Sequence, residues 1–160
     1  MDKKDALILD FAKLWLAHDG LWFQAVENAY GLETAIKLDT EAWSKFSPIE
    51  AKRILERLGK KPGGGINLLE EALGKRLYAF VNKQRVVDKT DERLVFEMTS
   101  CRVQDARRRK GLEPFPCKAV GIVEYSTFAK TIDPRIETRC LQCPPDPYNE
   151  ESWCRWEFSL

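Results

Sequence analysis

Histidine, long apolar runs and net charge are what this sequence has least of, and each shortage closes off a class of function. His18 is the one histidine among 160 residues. Its neighbour Asp19 cannot face it along a helix and no serine-nucleophile motif accompanies the pair, so a Ser-His-Asp arrangement is out of reach. A helix-end or capping role suits the two residues better. Lysine and arginine total 26 against 25 aspartate and glutamate, so no whole-protein field points to nucleic acid or an anionic membrane. The basic run Arg107-Arg108-Arg109-Lys110 suits the negative end of a helix dipole and lacks the interleaved aromatics of a nucleic-acid site. The apolar residues after Asp5 are broken by Asp10 and Lys13, which leaves neither a signal-peptide core nor a membrane span and predicts a cytosolic protein. Lys60 to Gly65 is glycine-rich, yet it lacks the preceding strand and the Lys-Ser/Thr ending of a phosphate loop and reads as a hinge. Internal repeats are not evident.

What is present is enough apolar material for a core, 44% of the chain. Leu7, Phe11, Leu14 and Trp15 recur at helical spacing, as do Trp22, Val26 and Ala29 before Gly31, and then Ala35, Leu38 and Trp43; these stripes read as core. Ser47-Pro48-Ile49-Glu50 reads as a further helix start, with Ser as N-cap and Glu closing a capping box, and Gly59 as its end. Three or four short helices are therefore expected in the first half. After a helix from Ile66 to Gly74, alternation over 78–82 and 94–99 about the turn Asp88 to Asp91 predicts an antiparallel hairpin. A basic helix from Arg102 to Lys110, a second from Cys117 to Thr131, and strands at 136–141 and 153–158 joined by the Pro-rich loop Cys143 to Tyr148 complete the reading. The fold class is α+β: N-terminal helices followed by a four-stranded antiparallel sheet with packed helices. It divides into a helical region at 1–60 and an α+β metal-thiolate domain at 66–160.

The five cysteines are the most informative feature, because in a reducing compartment an odd number with four after Pro116 suits metal binding better than disulfides. Cys140 and Cys143 form a C-x-x-C at a strand end, and Cys154 lies on the returning strand. Cys117, at a helix start, has its thiolate favoured by unpaired backbone N–H groups and supplies a fourth ligand. Four thiolates suit a closed zinc site or a four-cysteine iron–sulfur cluster; buried free thiols are the plain alternative. Cys101 remains as an additional ligand, a reactive thiol or a core atom. Glu137 precedes Cys140 by three positions, so a regular strand turns the two to opposite faces and only a bulge would bring both to one ion.

From Cys101 to Phe158, the succession Cys101-Arg102, Lys110-Gly111, Cys117, Glu137-Thr138-Arg139-Cys140 and Cys154-Arg155-Trp156-Glu157-Phe158 resembles the 4-vinyl-reductase-type small-ligand-binding domain. It is also similar to the L-2-amino-thiazoline-4-carboxylate hydrolase family. The first resemblance implies a zinc site from a Cys at a helix start, a Glu-x-x-Cys and a last Cys before an aromatic strand, here Cys117, Glu137, Cys140 and Cys154. Cys143 is an extra thiol and the loop to Cys154 is longer than in that pattern, which leaves Cys143 or Glu137 as the fourth ligand. The front, with His18 to Phe23 and Ser47 to Glu50, resembles uncharacterised cytosolic proteins with the same cysteine-rich end.

The leading expectation is a metal-stabilised binding or sensor domain for a small apolar or aromatic ligand, lodged where Tyr78, Phe80, Phe96, Met98, Trp153 and Trp156 line the space between sheet and helices. The rival implied by the second resemblance is a hydrolase of cyclic amidine or amide bonds, using an open metal position or Cys101 as nucleophile. A regulator touching nucleic acid through Arg107 to Lys110 ranks third. No membrane partner is expected, and a homodimer is left open.

Overall fold

The computed structural model describes residues 2–147 and 151–160; Tyr148, the expected end of the Pro-rich loop, lies outside them. Two long helices replace the short ones expected. They are α1 (Lys3–Tyr30) and α2 (Leu32–Leu58). Asp2 caps α1 by accepting the Lys4 and Asp5 N–H groups, and Gly31, with φ of 87°, makes the left-handed step between the helices. Pro48 lies inside α2 instead of starting a helix. Unbroken helix lets Trp43, Ala51, Ile54 and Leu55 bury together. At about 1.5–3 kcal/mol for each large side chain, that outweighs the roughly 3 kcal/mol cost of an internal proline. Ser47 is buried with its hydroxyl unpartnered among the described residues, and Glu50 turns to Arg76 Nε at 2.8 Å rather than closing a capping box. The stripe of Leu7, Phe11 and Leu14, read as core, is exposed. The inner face of α1 is Ala12 and Leu16, flanked by Trp15 and Phe23.

Next come α3 (Gly65–Leu73), α4 (Leu77–Val81), β1 (Lys83–Lys89), β2 (Arg93–Ser100), α5 (Arg102–Arg109), α6 (Lys118–Ile132), β3 (Glu137–Gln142) and β4 (Cys154–Ser159). The α+β class and the single four-stranded antiparallel sheet, ordered β1-β2-β4-β3, agree with the sequence reading. The strand expected at 78–82 is instead the short helix α4, and pairing begins at Lys83. Local packing overrides the alternation there: the Tyr78 ring stacks on Trp43 at 5.7 Å, and the buried Arg76 guanidinium lies against Trp43, Tyr78, Tyr125 and Phe128. Phe80, expected to line the core, is exposed.

The sheet buries Leu94, Phe96, Met98, Trp156 and Phe158 against Tyr125, Phe128, Ala129 and Ile132 of α6, with Ile54 and Leu55 of α2 completing the same core. Helix α6 approaches β4 closely at one point. A Cβ on Gly121 would meet Trp156 Cζ2 at 2.7 Å, so only glycine lets the indole lie there. Among the described residues, no helix is long and apolar enough to cross a membrane.

Candidate functional site: a thiol cluster on the wall of an aromatic cavity

The sequence brings four cysteines to one corner by three routes. Cys117 precedes the first turn of α6, Cys140 and Cys143 flank the irregular end of β3, and Cys154 opens β4. Cys117 Sγ lies 3.5 Å from Cys143 Sγ. The Cys143 thiol is within hydrogen-bonding reach of Cys117, Cys140 and Cys154, and their sulfurs, with burial, push its pKa far up. Cys140 shifts down, through its hydrogen bond from Cys143 and the nearby Lys118 ammonium. A clasp holds the loop to the helix start: Lys118 Nζ contacts Asp146 at 2.8 Å, the Lys118 N–H donates to Pro144 O at 2.9 Å, and the Asp146 N–H donates to Cys143 O at 2.9 Å.

Cys101 adjoins Cys117 and Cys154, and burial pushes its thiol up to about 12. Glu137 is apart from the cluster, exposed and paired with Lys130 at 2.9 Å. The bulge of β3 falls between Cys140 and Gln142, too late in the strand to turn Glu137 round. The buried Gln104 fixes the segment before Cys117, accepting the Phe115 N–H at 2.9 Å and donating to Phe115 O at 2.8 Å. The same amide nitrogen reaches Cys117 Sγ at 3.5 Å, the kind of outer donor that accompanies a thiolate ligand.

Among the described residues, no three or more His, Cys, Asp or Glu side chains stand as a ready-made coordination shell. The hydrogen-bonded arrangement puts the Cys143 sulfur among the other three, rather than four sulfurs around a common centre. The donor set itself fits a thiophilic ion. Sulfurs on one tetrahedral zinc, at about 2.3 Å, stand about 3.8 Å apart, near the spacing of Cys117 and Cys143.

The cluster forms part of the wall of a cavity of about 380 Å³ between the sheet, α6 and the helical front. Trp43, Tyr78, Tyr125, Phe115, Phe23 and Trp156 give it aromatic faces. Three carboxylates also reach it, one each from α1, α2 and α6: Asp19, Asp39 and Glu124. Glu124 Oε1 lies 2.7 Å from Arg76 Nη1, yet burial still holds its carboxyl above the usual range. Burial, with the charges of Asp19 and Glu124, pushes Asp39 up to about 7. Asp19 is likewise raised by burial. Neither Asp19 nor Asp39 has an ion-pair partner among the described residues. His18 is exposed on the middle turns of α1 and caps nothing, and Arg107 of the basic run is buried in a two-bond pair with Glu27, at 2.8 and 3.1 Å.

Sequence reasoning missed Asp19, Asp39, Glu124 and Gln104 as cavity or cluster residues. The carboxylates had a signal. Each sits four residues from apolar core positions on both sides, as in Trp15-Asp19-Phe23, Ala35-Asp39-Trp43 and Val120-Glu124-Phe128, which places an acid on a buried helix face.

A four-stranded antiparallel sheet with helices enclosing an aromatic cavity beside clustered thiols defines a small α+β protein. The chain belongs to the family of unknown function DUF6125, matched over residues 1–160. Among solved structures it is similar to the phenol-responsive sensory domain of the transcription activator PoxR, crystallised with phenol. That likeness covers 89% of this chain and 73% of the other at 14% identity, with a TM-score of 0.58, and shows a shared fold. No curated protein matches the sequence.

Proposed function

We propose that this chain is a metal-stabilised cytosolic binding or sensor domain for a small apolar or aromatic molecule. Cys117, Cys140, Cys143 and Cys154 hold zinc or an iron–sulfur cluster, and the cavity takes the ligand. The observation that carries the reading is the aromatic cavity of about 380 Å³, within the size range of ligand pockets and adjoining the thiol cluster. The shared fold with a phenol-responsive sensory domain supports it, as does the resemblance of the cysteine-rich end to vinyl-reductase-type domains. The ion's role is structural, since it would join the start of α6 to both strands of the last hairpin. A hydrolase using Cys101 is the weaker reading: its thiol is held protonated by burial, and no imidazole lies on the cavity wall to activate it.

Two measurements test the two parts. Metal analysis and a visible spectrum of anaerobically purified protein should give near-stoichiometric zinc or iron. Cys140→Ser and Cys154→Ser should each lose most of it, and full retention by both would reject the ligand set. Phenol, as the probe of the cavity, should produce a saturable heat of binding in calorimetry; no binding by phenol or any other small aromatic compound would reject the ligand site.

A further inference from the structure

Helix α1 is apolar on two sides. Ala12 and Leu16, with Trp15 and Phe23, pack inward. Leu7, Phe11, Leu14, His18, Leu21 and Ala25 lie on the other side, all of them exposed, and recur at steps of four, three, four, three and four residues. That is the heptad step of a helix seam, which keeps one stripe turned toward a partner helix. None of the six carries an acid or a lysine or arginine, and His18 is the one polar member. A helix with apolar side chains on both sides belongs in an interior, and a single copy of this chain covers only one side of α1.

The uncovered side is large. Leu7, Ile8, Phe11, Leu14, Leu21 and Trp22 are 49–69% exposed. Together they present roughly 700 Å², more than the few hundred Å² that a soluble monomer usually leaves in one patch and near the ~800 Å² that each partner gives a stable interface.

A seam of this kind asks for a helix with the same heptad step, and α1 itself is one. Two copies laid antiparallel about a two-fold axis level with Leu16 set Leu7 against the partner's Ala25, Phe11 against the partner's Leu21 and Leu14 against the partner's His18. Along the edge of the seam, the same register sets Ile8 against the partner's Trp22. The exposed apolar side chains are then covered and no like charges are opposed within the seam. A parallel pair would instead set Ile8 beside the partner's Lys3.

We infer that α1 is the docking surface for a second copy of this chain, paired antiparallel along the seam from Leu7 to Ala25. Leu21 also stands on the cavity wall, so the partner helix lies beside that wall.

The test is sedimentation equilibrium of the full chain from about 1 to 100 μM. Wild-type protein should approach twice the 18.5 kDa of one chain. Leu14→Lys should weaken self-association about a hundredfold or more, and His18→Leu, which removes the polar residue from the seam, should tighten it about tenfold. Ile49→Lys, a change of similar exposure on α2, should leave the mass as it is. Phe11→Lys and Leu21→Glu should each be monomeric alone and pair when mixed, because the antiparallel register brings the introduced lysine and glutamate together. All these side chains are exposed in the single chain, and unchanged circular dichroism marks each variant as folded. A monomer across the whole range, a dimer untouched by Leu14→Lys, a dimer lost equally in Ile49→Lys, or a mixture that stays monomeric overturns the inference. No ligand enters the test, so its failure leaves the proposed function standing.

Discussion

Two regions of this molecule treat buried charge in opposite ways. On the sheet, charge is answered: Glu97, with no exposure, receives Arg85 at 2.5 Å and Arg155 at 2.7 Å, and Glu157 receives Arg93 at 2.7 Å and Arg139 at 2.8 Å, tying all four strands together. Behind α6, the buried Asp133 accepts the Gly65 N–H at 3.0 Å and pairs with Arg135 at 2.7 Å. In the cavity, Asp19 and Asp39 have no ion-pair partner among the described residues, and Asp39 accepts only a side-chain hydrogen bond from Trp43. The sheet pairs its carboxylates with cations from neighbouring strands, whereas the cavity acids are held above their ordinary range by burial.

The contrast can be broken most forcefully at Arg76, a fully buried cation shared by Glu50 and Glu124. Arg76→Met should leave Glu50 and Glu124 buried and unpaired at a cost of about 3–5 kcal/mol, seen as a large drop in the urea midpoint. If the midpoint barely moves, the network is not holding α2 to α6. A smaller effect of opposite sign is expected at Asp39. Its raised folded-state pKa, about 7, means its contribution is full below the unfolded value near 3.8 and fades as pH rises through 7. Asp39→Asn should therefore stabilise the ligand-free protein at pH 8, by about 1 kcal/mol after solvent screening, and change little at pH 4. An unchanged Tm at pH 8 would show the aspartate to be well solvated.

The smallest effect marks the other side of the comparison. Asp133 is drawn down to about 2, first by its bond from Arg135 and then by the Arg135 and Gly65 N–H groups, with burial opposing. Its contribution is complete above pH 3.8 and disappears as pH falls toward 2. Asp133→Asn should flatten the acid limb of the stability curve over that window, and an identical limb in the variant would remove Asp133 from the account.

Much of the sheet half was legible because its signals are local. The Cys140-x-x-Cys143 pair, the helix start at Cys117 and the alternation of Leu94, Phe96 and Met98 each lie within a few residues, and the elements they define fall within a residue or two of expectation. The front was less legible for long-range reasons. Pro48 and Ser47 form a sound local start signal, which loses to packing with residues far along the chain; Tyr78 alternates like a strand residue but is held by Trp43 and Arg76. The thiol cluster was readable as a set of residues. The cavity's acid groups needed the three helices assembled before their convergence could be seen.

The glycine at position 121 has a consequence for how this cavity could diverge among descendants of the chain. Its missing side chain is what lets the Trp156 ring lie against α6, and the same two residues stand on the cavity wall. One codon change to alanine or serine would press on the indole and alter the depth of the chamber without touching a cysteine, an aspartate or a strand pairing. The shape of the cavity is thus open to change at a single inherited position, separately from the thiols and the sheet.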